Sequence, residues 1–330
     1  MSVELRVLTA PEIQRLLPMS ECIDLMRQTM IAVSAGKAVL PLRSLMKMPG
    51  DIGVLGIMPG YLSTAEMYAT KLISLIPRNA GTEHSSHIGM LVLFETEHGY
   101  PVGLLDGAEV TAIRTAAASG MATRLLARAD ASRLAILGTG EQARRHIEAM
   151  IEVRPISDIR IWGRAEAKAL ALADACFDQY GVEARPCREV RDAVAGADIV
   201  CTVTHAAEPV LMGEWIGPGT HLNVVGSSVP TTAEIDGHLV AKSRFFVDYR
   251  ESALAQAGEY RRAIATGLIG PEHILGEIGT VAEGSLPGRT SDDDITLYKS
   301  LGIAAQDIAA GRFALDRAAS DNLGQLVRCG

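Results

Sequence analysis

Apolar residues recur at helical spacing through residues 9–35, with Thr9 placed to cap the helix ahead of Pro11. The pattern changes over residues 38–106. Runs such as Thr70-Lys71-Leu72-Ile73-Ser74-Leu75 and Met90-Leu91-Val92-Leu93-Phe94 are divided by Pro-Gly, Asn-Ala-Gly and His-Gly pairs. That pattern predicts antiparallel strands and turns. From Val110 to Ala129 the chain is alanine-rich and helical. From Arg133 apolar strands alternate with helical segments. Strands are expected at 134–138, 159–163, near Val182, and at 197–203, 220–226 and 244–248, with helices reaching about Met150 and Tyr180 and a helical piece at 189–195. Strands joined by crossovers of this length pair in parallel. A last helix is predicted over 292–318, with Asp292, Asp293 and Asp294 at its start, where a helix terminus favours negative charge. The chain therefore reads as two domains, one over 119–297 and the other over 1–118 with 298–330.

Composition narrows the class. Of 330 residues, 48% are apolar and 21% charged, which excludes a predominantly disordered chain. Thirty-nine acidic against 31 basic residues give a net charge of −8. That balance argues against nucleic acid or an anionic membrane as partner, since both require clustered cations. No apolar run is long enough to span a bilayer, and acidic residues interrupt the first segment as no secretory signal would allow. Five scattered cysteines without a Cys-x-x-Cys pair read as free thiols in a reducing compartment, with a cytoplasmic location expected.

The strand Leu134-Ala135-Ile136-Leu137 runs into Gly138-Thr139-Gly140-Glu141-Gln142-Ala143 and then a helix. In this G-x-G-x-x-A loop the first glycine permits a tight turn. The second admits a pyrophosphate to the backbone, and the small third residue lets helix and strand pack closely. The helix N-terminus adds free N–H groups and a positive dipole end. With several βαβ units following, the expected fold class is α/β, a Rossmann-type doubly wound parallel sheet plus a second α+β domain. The next strand ends Ile161-Trp162-Gly163-Arg164, without the acid that holds the ribose 2′-hydroxyl of NAD. Gly163 leaves room for a 2′-phosphate that Arg164 can pair with, so NADP(H) is favoured and NAD(H) remains open; a solvated surface arginine is the competing reading.

Two cations look misplaced. Lys71 is in phase with Ala69, Ile73 and Leu75, so it points to an apolar face and needs a partner or must snorkel. Arg114 lies in the first turns of a helix that starts near Thr111, where a cation opposes the dipole. A bound anion resolves the conflict, as does pairing with Glu109 or Asp106. Arg43, in PLRSLMKM, has no informative phase. Together the three hint at a site for a small carboxylate.

The segments KLISLIPRN (71–79), GYPVGLLDGAEVTAIRTAAASGMATRLLA (99–127), AILGTGEQARRHIEAM (135–150) and GEIGTVAEGSLPGRTSDDDITLYKSLGIAAQDIAA (276–310) resemble the ornithine cyclodeaminase/mu-crystallin family over nearly the whole chain. The resemblance implies a homodimer. It assigns NAD(P) to 119–297, and substrate binding and dimerisation to 1–118 with 298–330. It also implies that Arg43, Lys71 and Arg114 hold a substrate carboxylate, and that Ser86-His87 lie near the cofactor. His84 and His87 also read as plain loop histidines, and their spacing without helix or third ligand gives no reason to expect a metal. Thr115, Thr202, Thr204, Val225 and Ser300 complete the expected cofactor lining, although Thr and Ser in such loops also serve as turn and cap residues.

Two departures separate this chain from the cyclodeaminases. Ser228, in Val225-Gly226-Ser227-Ser228-Val229-Pro230, stands where those enzymes carry an acid, and Gly56 stands two residues before Met58-Pro59 where they carry Glu. Cyclisation of a diamine needs carboxylates as base and as cation anchor. Mu-crystallin-like reductases instead resemble this chain at Ser228. The resemblance therefore implies NAD(P)H-dependent reduction of a small imine carboxylate, of pyrroline-2-carboxylate, piperideine-2-carboxylate or linear 2-imino type. Lys71, Arg114 and Ser228 are its expected catalytic residues. A cyclodeaminase or amino-acid dehydrogenase, and a non-catalytic NADPH-dependent binding protein, are the alternatives.

Overall fold

The computed structural model describes residues 3–79, 82–85 and 87–329, without the side chains of Val3, His87 and Cys329. In chain order the elements are β1 (Val3–Leu8), α1 (Ala10–Leu16), α2 (Met19–Ser34), β2 (Ala38–Val39), β3 (Ser44–Lys47), β4 (Val54–Leu62), β5 (Met67–Leu75), β6 (His87–Glu95), β7 (Pro101–Asp106) and α3 (Gly107–Leu126). There follow β8 (Arg133–Leu137), α4 (Glu141–Val153), β9 (Asp158–Trp162), α5 (Glu166–Tyr180), β10 (Glu183–Cys187), α6 (Val190–Val194), β11 (Ile199–Thr202) and β12 (His221–Val224). Then come α7 (Gly237–Lys242), β13 (Arg244–Val247), α8 (Arg250–Gln256), α9 (Gly258–Ala265), β14 (Ile274–Glu277), α10 (Ile278–Glu283) and β15 (Thr296–Lys299). The chain closes with α11 (Ala304–Ser320) and β16 (Gln325–Cys329). They form two compact units, Met1–Arg114 with Ile303–Gly330, and Thr115–Gly302.

In the first unit the strand order is β16-β1-β7-β6-β5-β4-β2, with β3 also on β4. Every pairing is antiparallel except β1 with β7. Alternation along β4 and β5 turns Met58, Gly60, Leu62, Met67, Ala69 and Lys71 to the buried face. Helix α11 covers that face. It approaches closely because Gly60 and Gly311 lack side chains: a Cβ on Gly60 would lie 2.6 Å from Ala304 Cβ, and one on Gly311 2.9 Å from Leu91 Cδ2. Ala304, Ile308, Gly311 and Leu315 thus form one inward stripe at helical spacing, and Asp307 lies beside it.

The second unit is an eight-stranded parallel sheet ordered β10-β9-β8-β11-β12-β15-β13-β14. Residues 134–137 of β8 and all of β11 and β12 are buried, as strands covered on both faces must be. Each fully buried Leu, Ile or Val contributes roughly 1.5–3 kcal/mol. Arg154 closes the C-terminus of α3, donating to the carbonyls of Thr123, Arg124, Ala127 and Arg128 at 2.8–3.1 Å.

Three expectations are corrected. The helix expected over 9–35 is two, α1 and α2, because Pro18 disfavours helical geometry in Leu17 and itself precedes the first turn of α2. The helix expected over 292–318 is a strand followed by a helix. The segment Thr296–Lys299 is buried throughout between β12 and β13, and Gly302, with φ +75°, separates it from α11. The acidic run therefore caps no helix: Asp294 accepts from Thr290 N, Thr290 Oγ1 and Ser291 N and fixes a turn. Strand β1 has no counterpart in the sequence reading; it is held by β7 and β16, from distant parts of the chain.

Candidate active site

In the first unit β5 delivers Lys71, α3 delivers Arg114 and α11 delivers Asp307 to one point. Lys71 Nζ lies 2.7 Å from Asp307 Oδ2, and Arg114 Nε donates to Asp307 Oδ1 at 2.8 Å. Arg114 Nη1 donates to Gln306 Oε1 at 2.7 Å, and Gln306 Nε2 rests on Met30 Sδ at 3.4 Å. Lys71 Nζ also donates to Thr111 Oγ1 at 3.2 Å, whose hydroxyl donates to Gly107 O at 2.6 Å. Lys71, Arg114 and Asp307 are 1%, 3% and 0% exposed, so water does not screen them. Arg43, half-buried before β3, adds its charge to the surroundings of Lys71.

Lys71 therefore has partners and does not snorkel. Arg114 pairs with Asp307 rather than Glu109 or Asp106; Asp106 instead accepts the Glu109 N–H at 2.9 Å. Helix α3 begins at Gly107, so Arg114 stands two turns inside it and the dipole conflict is slight. The real imbalance is of charge: two buried cations share one carboxylate. Burial and the neighbouring Arg114 push the Lys71 ammonium down to about 7, with Arg43 adding to the effect, while Asp307 holds it up. Burial would raise the Asp307 carboxyl, but Arg114 and Lys71 hold it below the usual carboxylate range. Asp307 also sits in the first turn of α11, where the dipole favours an anion. A further anion would balance the cluster. Arg114 Nη2 has no partner among the described residues, which leaves a donor available to it. Around Lys71 the inward face of β4 offers Met58, directly opposite, and Gly56, and no acid.

Asp307, Gln306 and Thr111 are absent from the sequence reading. Asp307 and Arg114 are 193 positions apart, and nothing local marks their meeting. The one available signal is an acid inside the apolar run Ile303-Ala304-Ala305-Gln306-Asp307-Ile308-Ala309-Ala310.

In the second unit the expected cofactor residues gather at the C-terminal ends of parallel strands, the edge where open α/β sheets bind ligands. The sequence order reverses between β8 and β11, and the glycine loop follows β8. Gly138 has φ +131°, and a Cβ there would lie 2.7 Å from Val203 O, so glycine is required. A Cβ on Gly140 would meet no atom within 4 Å, leaving its backbone open to a ligand at the start of α4. Ala143 is fully buried, as the close helix–strand contact requires. Thr139 packs on Gly163, whose Cβ would lie 2.5 Å from Thr139 Cγ2. The Glu141 side chain is exposed and pairs with Arg144 and Arg145. Gln142 carries a buried Oε1 without a hydrogen-bond partner. Its backbone carbonyl lies 2.7 Å from His146 Nδ1, and His146 Nε2 reaches Ser119 Oγ at 2.9 Å. Burial pushes His146 down to about 4, so it ties α4 to α3 as a neutral ring. Arg164 is exposed after β9, and neighbouring Glu166 pairs with Arg188 at 3.0 Å.

The ends of β11 and β12 are organised by Glu234, a fully buried carboxylate that the sequence reading missed. It accepts from Thr202 Oγ1 (2.8 Å), Thr204 N (2.6 Å), Thr204 Oγ1 (2.7 Å) and Gly226 N (2.6 Å). The hydroxyl protons of Thr202 and Thr204 are thus committed inward. Val225 N donates to Thr202 O, and Ser300 N to Val224 O. Lys299 Nζ donates to Ser227 O at 2.6 Å and pairs with Glu259 at 3.2 Å, fixing the backbone just before half-buried Ser228. The Ser300 hydroxyl is buried without a hydrogen-bond partner, and Thr115 is buried on α3. Ser86 and the His87 side chain lie outside the described residues. Among the described residues no three His, Cys, Asp or Glu side chains gather as a metal site would, and no helix is long and apolar enough to cross a membrane.

A parallel doubly wound sheet with a glycine loop at its reversal point, and a buried anion-seeking cluster in the other unit, define a protein of the dinucleotide-dependent class. The chain belongs to the ornithine cyclodeaminase/mu-crystallin family, whose sequence profile matches residues 3–322. It is 33% identical over 322 residues to a Delta(1)-pyrroline-2-carboxylate reductase of Bacillus cereus, covering 97% of this chain and 99% of that one. It is 35% identical over 281 residues to the ketimine reductase mu-crystallin of Mus musculus, covering 85% and 86%. Among solved structures it superposes on the Thermococcus litoralis Delta(1)-pyrroline-2-carboxylate reductase in complex with NADH and L-proline, with TM-score 0.94, 33% identity and coverage of 98% and 100%. It also superposes on an archaeal alanine dehydrogenase dimer with bound NAD, with TM-score 0.92, 30% identity and coverage of 98% and 99%.

Proposed function

We propose that this protein is an NAD(P)H-dependent oxidoreductase that reduces a C=N bond adjacent to a carboxylate, yielding the L-amino or cyclic imino acid. The observation that carries the reading is the buried Lys71–Asp307–Arg114 cluster, whose excess positive charge suits one small carboxylate. Relatives named as pyrroline-2-carboxylate and ketimine reductases support it, as does a structural neighbour holding NADH and L-proline. Pyrroline-2-carboxylate, piperideine-2-carboxylate and linear 2-imino acids are the proposed substrates.

The glycine loop fits a dinucleotide: Gly140 and the first N–H groups of α4 would take the pyrophosphate. When bound, NAD(P)H supplies the hydride. Arg114, Lys71 and Arg43 hold the substrate carboxylate and fix its plane. The imine enters protonated, so its carbon is already electrophilic and the C=N electron pair passes to nitrogen without a further proton. Positioning therefore matters more than a strong base. Ser228 hydrogen-bonds the imine nitrogen or a water beside it. Ser300, with its unpaired hydroxyl, and the backbone at Thr115, Thr202, Thr204 and Val225 line the cofactor, with Ser86 and His87 assigned there by family resemblance alone. Met58 and Gly56 opposite β5, and Ser228 in place of an acid, speak against diamine cyclisation. Arg164, with Gly163 before it, favours NADP(H) over NAD(H). Apolar side chains exposed on the first unit, Val39, Leu42, Leu45, Met46, Ile52 and Ile88 among them, favour a homodimer. Among the described residues Cys22, Cys176, Cys187 and Cys201 form no disulfide, which fits a cytoplasmic site of action.

The test is reductant consumption by purified protein, with NADPH and NADH supplied separately. The substrates are pyrroline-2-carboxylate, piperideine-2-carboxylate, 2-oxo acids with amine, and L-ornithine in parallel. Oxidation of NADPH with an imine carboxylate is expected. Proline formed from ornithine without added reductant would replace this reading with a cyclodeaminase.

A further inference from the structure

Among the buried charges, Asp307 touches two of the three residues assigned to the substrate carboxylate, yet as an anion it cannot bind that group itself. Its two oxygens are divided between the cations, Oδ2 to Lys71 and Oδ1 to Arg114. Gln306, one residue earlier on α11, takes Arg114 Nη1. With Nε and Nη1 so anchored from one helix, the guanidinium plane is fixed and Nη2 remains for a ligand. The ammonium is held between Asp307 and Thr111. Helix α11 is itself seated by the close approaches at Gly60 and Gly311, so the carboxylate stands on a rigid support.

We propose that Asp307 is a positioning residue of the reductase site, one that aims Lys71 and Arg114 at a single substrate carboxylate and keeps Lys71 charged. The proposal rests on the reading above and extends it to a residue that acts only through the clamp. Charge bookkeeping on Lys71 supports it. The groups facing Lys71 are Met58 from β4, Leu91 from β6, Arg114 and Thr111 from α3, Asp307 from α11, and Arg43. Asp307 is the one anion among them. Without it, burial and two arginines would drive the proton off Lys71. A charged Lys71 is the form that holds a carboxylate, so kcat/KM for the imine acid falls as pH rises through its titration. Removing the Asp307 charge moves that limb to lower pH.

Two variants separate charge from aim. In Asp307→Asn the charge is lost. The KM for the imine acid is expected to rise about tenfold or more, with the alkaline limb of kcat/KM moved down by about one pH unit or more. NADPH affinity, read by fluorescence, stays at the wild-type value. In Asp307→Glu the charge is kept but displaced by one methylene, so the limb stays at its wild-type pH while KM still rises. The imine's own titration is common to all forms and cancels in the comparison. Either folded variant with wild-type KM would overturn the proposal, as would an unmoved limb in Asp307→Asn. Should Asp307→Asn fail to fold, Asp307→Glu decides; failure of both makes Asp307 a structural residue and also overturns it. An inactive wild type would defeat the reductase reading and this proposal together, whereas an active wild type with indifferent variants defeats this proposal alone.

Discussion

Two cations and one carboxylate away from water make an expensive arrangement at the scale of single residues. The cost of removing such ions from solvent is several kcal/mol each, and one carboxylate offsets it incompletely. The remaining imbalance favours either a neutral Lys71, at about 7, or a bound anion. The carboxylate substrate proposed above would balance the charge. Arg164 poses the opposite case, an exposed cation. If it binds a 2′-phosphate, Arg164→Ala weakens NADPH binding about tenfold or more and changes NADH by less than about twofold. Fluorescence titration of both dinucleotides checks this; equal changes would make it a surface arginine.

At the scale of elements, the parallel sheet was legible because its strands are apolar throughout and the helices between them are regular. Leu134–Leu137 with Gly138-Thr139-Gly140 announces both a strand and a ligand loop. The segment Thr296–Lys299 was not legible, since only the four residues 300–303 separate its end from Ala304, the first inward residue of α11, and the apolar pattern continues across Gly302. Its strand state is set by β12 and β13, which flank it in space. Lys71 could be noticed as a cation in phase with an apolar face, and Arg114 as a cation near the start of a helix. Asp307 and Glu234 were missed because their partners come from distant elements; the one local sign of Asp307 is its place inside an apolar run. The glycine loop offers a test in which fold and binding come apart. A side chain at Gly140 meets nothing within 4 Å, and its φ is −92°, which any residue adopts. Gly140→Val should keep the wild-type Tm within about 2 °C while raising the dinucleotide Kd about tenfold or more. Calorimetry and titration read the two effects separately; unchanged Kd would remove the pyrophosphate from this loop.

At the scale of the whole molecule, the first unit exposes Leu45 at 45% and Met46 at 53% on β3 and Ile88 at 57% on β6, apolar side chains of the kind that mark an interaction surface. A second copy is the proposed cover. Sedimentation should find twice the monomer mass for the wild type and a monomer for Met46→Glu at the same concentration; a monomeric wild type would dismiss the dimer. The proposed function depends above all on the carboxylate clamp. Its most direct measurement is the steady-state kinetics of Arg114→Ala with an imine carboxylate, beside its affinity for NADPH. A fall in kcat/KM of about a thousandfold, roughly 4 kcal/mol, with unchanged NADPH affinity is predicted. Turnover of the same imine acid at near wild-type efficiency would contradict the clamp and the function built on it.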